Sequence, residues 1–110
     1  MEHSQPKEAH AEGDELVHID ASFEPLVPKF LTNRKKEVVT MQEALSAQDF
    51  ETVRKLAHGM KGAGGSYGFD RISEMASVIE QAAKTRDSST IESYLPELGS
   101  YLDRVTVIYD

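Results

Sequence analysis

Apolar residues recur along the chain in four stretches at helical spacing, separated by short polar breaks. Between about Pro25 and Ala47, Phe30, Leu31, Val38, Met41 and Leu45 supply one buried side. Pro25 or Pro28 suits the first turn, where a proline removes no helical hydrogen bond. Arg34, Lys35 and Lys36 on the other side read as a solvated face. Gln48-Asp49 breaks the pattern, and Asp49 is placed to cap a second helix with the stripe Val53, Leu56, Ala57 and Met60. That helix is expected to end after Gly65. Gly68 stands where a left-handed C-terminal cap belongs, and Phe69 can fold back onto the preceding turn. Asp70 opens a third helix, in which Ile72, Met75, Ala76, Ile79, Ala82 and Ala83 keep the i, i+3, i+4 rule throughout. A linker, Thr85-Arg86-Asp87-Ser88-Ser89, leads to a fourth with Ile91, Tyr94, Leu95, Leu98, Leu102 and Val105. Pro96 interrupts it and should kink it, or divide it into a short and a longer piece. Four amphipathic helices with short connections predict an all-α fold, an antiparallel up-and-down four-helix bundle over residues 21–110.

Residues 1–20 lack this pattern and read as an acidic flexible leader, with Leu16, Val17 and Ile19 available as a short packing lead-in. Of the net charge of −7, residues 1–25 hold −6, from seven acids and one base. The helical part is therefore nearly neutral, with local positive charge from Arg54, Lys55 and Lys61. It offers no basic face of the kind nucleic acid requires. No stretch approaches the ~20 apolar residues that span a bilayer, and the first residues lead into no signal-like apolar run. A cytoplasmic location is expected. The absence of cysteine removes disulfides and thiolate metal sites. His3, His10 and His18 are scattered through the leader, and Glu15-x-x-His18 has the form of a bundle metal pair. Such sites need two pairs and further carboxylates, so no metal is expected.

The densest chemistry lies in His58-Gly59-Met60-Lys61-Gly62-Ala63-Gly64-Gly65-Ser66-Tyr67-Gly68. At ~100° per residue, His58 lies roughly 150° from the centre of the second helix's stripe. It shares the opposite face with Arg54, Lys61, Gly62 and Gly65. A lone surface histidine is usually incidental, and a run of glycine is usually a turn. Glycine inside a helix costs about 1 kcal/mol against alanine, however, so Gly59, Gly62, Gly64 and Gly65 together call for an offsetting gain. Close approach of another surface is the obvious one. Folding about Phe69 also brings residues equally far before and after it to one level, which sets Glu80 near His58 and Lys84 one turn away.

His58-x-x-Lys61-Gly62, followed by Gly65, Gly68 and the apolar Phe69, resembles the signature of the histidine phosphotransfer (HPt) family. The likeness extends from about Phe23 to Tyr109, including Phe30-Leu31-x-Asn33-Arg34 and Ala44-Leu45-x-x-x-Asp49-Phe50. It implies a phosphocarrier of a two-component phosphorelay, not an enzyme with its own turnover. His58 would accept a phosphoryl group from an aspartyl phosphate on a receiver domain and pass it to another. The partners implied are receiver domains of hybrid histidine kinases and response regulators. No cofactor of its own is expected, and Mg²⁺ would sit on the receiver's acidic cluster.

The residue types suit that chemistry. Imidazole is largely neutral near physiological pH and can attack phosphorus through an outward Nε2. Glu80 is expected to accept a hydrogen bond from Nδ1 and orient the ring, and Lys61 to pair with phosphoryl oxygens. Gly62 and Gly65 would let the receiver's aspartate come close, since an alignment error of ~1 Å can cost ~100-fold in rate. Arg54, Lys55 and Lys84 would border the docking surface.

The main competing reading is a docking or dimerisation module of the same fold without phosphorylation, against which the intact His58 and Lys61 argue. A kinase phosphoacceptor segment usually places an acid directly after its histidine, where Gly59 stands here. With 110 residues there is also no room for an ATP-binding domain. A nucleotide loop would need Gly-Lys-Ser/Thr after a strand, and the glycines here follow a helix.

Overall fold

Side chains spaced for helices bury their stripes against one another, and the computed structural model, which describes residues 16–110, has four of them. These are α1 (Val27–Ser46), α2 (Phe50–Tyr67), α3 (Asp70–Lys84) and α4 (Ser88–Arg104). Each packs on the next in chain order, and α4 closes the ring against α1. The core is filled by Val38 and Met41 of α1, Val53, Ala57 and Met60 of α2, Ile72, Met75 and Ile79 of α3, and Ile91, Leu95 and Leu98 of α4.

Four expectations are corrected. On α1, Ala44 is buried and Leu45 only partly so, and Arg34 takes the stripe position between Phe30 and Val38. Arg34 is not on a solvated face. Its guanidinium lies 4.8 Å from the Phe30 ring centre and pairs with Glu37 at 2.9 Å, covering that end of the core. Second, α2 runs past Gly65 to Tyr67. Third, the linker after α3 is shorter than expected, since α4 begins at Ser88. Fourth, Pro96 neither ends nor divides α4. It sits on the exposed side, where the carbonyl of Glu92 that loses its helical partner can be hydrated.

The three helix-to-helix corners share one hydrogen-bond pattern. At each corner an amide just beyond the helix, two residues past α2 and three past α1 and α3, donates back to a carbonyl five residues earlier: Asp49 to Ala44, Phe69 to Gly64 and Asp87 to Ala82, each at 2.8 Å. This closure needs a left-handed residue just before it. Gln48 (φ 57°), Gly68 (φ 95°) and Arg86 (φ 58°) fill that place. Asp49 and Asp87 then cap the next helix in the same way, accepting from the backbone amides of Thr52 and Thr90. At the α2–α3 corner, Phe69 is buried, and its ring stacks on Phe30, which stacks on Tyr67.

Two short strands complete the fold and were not foreseen from helical periodicity. β1 (Leu16–Ile19) pairs in parallel with β2 (Thr106–Tyr109), Leu16 opposite Thr106 and Ile19 opposite Tyr109. Thr-Val-Ile-Tyr is a β-branched and aromatic run suited to a strand. The apolar lead-in does pack: Ile19 is buried over Gly68, and Val17, Val107 and Tyr109 lie against the core. The acidic stretch expected to reach residue 20 therefore ends in a strand. Its residues 1–15, with His3 and His10, lie outside the described residues. Among those described, no helix is long and apolar enough to cross a membrane.

The corner geometry separates two substitutions. Gln48→Gly relieves a Cβ held at positive φ and should raise the unfolding free energy by about 0.5–1 kcal/mol, whereas Gly68→Ala should lower it by about 1–2 kcal/mol. A Cβ at Gly68 would also meet Ile19 Cδ1 at 3.3 Å. Urea unfolding followed by circular dichroism reads both changes.

Candidate functional site

The α2–α3 corner determines which side chains meet. Contacts run between Gly64 and Ile72–Ser73, Lys61 and Ser73, and His58 and Glu80, each pair nearly centred on Gly68. The close approach depends on Gly64, because a Cβ there would meet Ser73 N at 3.1 Å and Ile72 Cγ2 at 3.2 Å. Ser73 also donates its hydroxyl to the Lys61 carbonyl at 3.0 Å, fastening α3 to the turn of α2 that follows His58.

His58 projects from α2 with its side chain 67% exposed, while the Glu80 side chain beside it is 4% exposed. Nδ1 of His58 lies 2.9 Å from Oε2 of Glu80. A carboxylate only accepts, so Nδ1 carries the proton and donates, and in the neutral ring Nε2 keeps its lone pair on the far side. The other oxygen of Glu80, Oε1, is 3.0 Å from Nζ of Lys61. Lys84, one turn beyond Glu80 on α3, brings its Nζ to 3.9 Å from Oε2. One buried carboxylate thus faces three nitrogen groups. The Lys61 ammonium holds the Glu80 carboxyl below the usual carboxylate range; burial opposes this, and the bond from His58 adds to it.

His58, Lys61, Glu80 and Lys84 are therefore brought together. Arg54 and Lys55 pair on their own helix with Glu51, Arg54 at 2.6 Å and Lys55 at 4.0 Å, while Arg54 remains near enough for Coulombic interaction with Glu80. Of the glycines, a Cβ at Gly59 or Gly62 would meet nothing within 4 Å, and one at Gly65 only Ser73 Oγ at 3.8 Å. Gly62 and Gly65 are exposed and leave an unobstructed surface beside His58, whereas the penalty at Gly64 is offset inside the fold. Gly68 is the left-handed cap of α2. Sequence reasoning missed Gly64 and Ser73 as the pair that sets the helix spacing. The signal was present, since the equal-distance rule that set Glu80 near His58 also sets Ser73 opposite Gly65. Beyond this site, His18 is paired with Asp110 at 3.0 Å across the strand ends, and the described residues hold no cluster of three or more metal-ligating side chains.

His58, exposed on α2, is thus backed by a buried carboxylate and flanked by bare glycines. A model of the Hpt domain matches residues 26–106, and the chain belongs to that family. Hpt domains serve phosphotransfer in phosphorelays as carriers rather than enzymes. No curated protein and no solved structure matches the chain.

Two measurements follow from this geometry. Gly62→Ala should stabilise the fold by about 0.5–1 kcal/mol through helix propensity, while Gly64→Ala should destabilise it by about 1–3 kcal/mol through overpacking. Thermal unfolding distinguishes them. Because the carboxyl of Glu80 is depressed in the folded state, its contribution is present above the unfolded value of about 4.3 and is lost as pH falls through the folded one. Asp49 and Asp87, held down by the hydrogen bonds that Thr52 and Thr90 donate to them, act with the same sign. Denaturant unfolding should therefore show falling stability below about pH 5, with a shallower fall in Glu80→Gln.

Proposed function

We propose that the protein is the histidine-containing phosphotransfer component of a two-component phosphorelay, with His58 as phosphoacceptor. It takes a phosphoryl group from a receiver-domain aspartate and returns it to the aspartate of another receiver. The observation that carries this reading is the pairing of an exposed Nε2 with an Nδ1–H donated to a buried carboxylate. Nucleophilic attack by Nε2 forms the P–N bond as the bond from phosphorus to the aspartyl oxygen breaks. The ring keeps its Nδ1 proton and becomes an imidazolium, whose new charge Glu80 offsets from 2.9 Å. Transfer onward reverses the step and releases neutral imidazole.

The remaining roles follow from position. Lys61, one helical turn from His58, supplies a cation for the phosphoryl oxygens. Gly62 and Gly65 admit the receiver, and Arg54, Lys55 and Lys84 border the contact. Mg²⁺ belongs to the receiver, since the cations and glycines on this face do not attract it. The partners are receiver domains of hybrid histidine kinases and response regulators, met in the cytoplasm. The contacts across the Gly68 corner support an antiparallel α2–α3 pair, and with it the up-and-down order of the bundle.

His58→Gln should abolish labelling by a receiver charged with acetyl phosphate; labelling at the wild-type level would remove His58 from the relay. Lys61→Ala should still accept phosphate, on the order of 10–100-fold more slowly for the loss of one charge-assisted contact. Rapid-quench phosphotransfer assays measure that rate.

A further inference from the structure

Charge around Glu80 is balanced in one way before phosphorylation and cannot remain so afterwards. In the structure Lys61 sits 3.0 Å from Oε1, and Lys84 lies 3.9 Å from Oε2, the oxygen that also accepts the hydrogen bond from His58 Nδ1. On the phosphoacceptor role proposed above, transfer makes the ring cationic and sets a group with up to two negative charges on Nε2, across the ring from Glu80. The single buried carboxylate then faces three cations while the phosphoryl group has none. Repulsion among the cations and attraction to the phosphoryl oxygens both act to move one lysine. Lys61 can go, because it leaves the same helix as His58 one turn on, on the face that presents the ring. Lys84 is on α3, on the helix that carries the carboxylate itself, one turn past Glu80.

We propose that phosphorylation of His58 shifts Lys61 from Glu80 to the phosphoryl group, and that Lys84 keeps the buried carboxylate paired while it does so. Lys84, at the border of the docking surface, is then also a positioning residue that acts through Lys61. Without it Lys61 remains held by Glu80, because leaving a carboxylate of 4% exposure with one fewer cation is costly.

Inorganic phosphoramidate tests this on the intact chain without any partner surface. Its P–N bond breaks, ammonia leaves, and the phosphorus bonds to Nε2 of His58. Lys84→Ala should slow this labelling on the order of 10-fold, within the usual range for coupled neighbours, and Lys84→Arg should restore it. In a Lys61→Ala background, Lys84→Ala should change the rate by less than ~2-fold, since the lysine it acts through is gone. The His58 Nδ1–H resonance should stay as in the wild type. Equal slowing by Lys84→Ala in both backgrounds, or no slowing in either, overturns the proposal. A wild-type chain that phosphoramidate does not label at His58 would instead overturn the phosphoacceptor reading itself.

Discussion

A carboxylate taken out of water between two helices is tolerated only where donors and cations replace the lost hydration. Glu80 is such a group, on the stripe of α3 that otherwise carries Ile72, Met75, Ala76 and Ile79. Its position makes the histidine site possible. The ring of His58 is held by a bond to an acceptor that has almost no other freedom, so the outward nitrogen is aimed by the interior of the protein and not by the exposed side chain itself. That in turn requires α2 and α3 to approach closely at a fixed level, which Gly64 allows and the corner at Gly68 and Phe69 sets.

The same closure at all three corners shows how short connections can hold four helices. Each uses one left-handed residue and one amide returned to the preceding helix, and two of the three add an aspartate cap. Only one left-handed position is a glycine. Arg86 compensates in part, since its guanidinium rests 4.6 Å from the Phe50 ring centre and ties the third corner to the start of α2.

Much of this was legible in the residues. The stripes of α2 and α3 depend on i, i+3, i+4 spacing alone, and burial follows them closely. The meeting of His58 with Glu80 needed only that spacing and one turn. Arg34 was misread because a charged residue at a stripe position is indistinguishable from a solvated one until the aromatic ring and the acid that cover it are in place. Pro96 was expected to kink or divide α4; the helix is not divided, and the proline faces the exposed side. The strands were missed because each is four residues long and their pairing joins opposite ends of the sequence. The attachment of Lys61 to Glu80 was not foreseen either: helical periodicity assigns a lysine to a face, but not to a partner on another helix.

The parallel pairing of Leu16–Ile19 with Thr106–Tyr109 makes the described chain nearly a closed loop. Every helix-to-helix corner joins segments adjacent in sequence, so those contacts can form early and locally; the strand pair must wait for all four helices to bring its halves together. It therefore acts as a clasp fastened last. Ile19, resting over Gly68, ties that clasp to the hinge of the hairpin that bears the histidine.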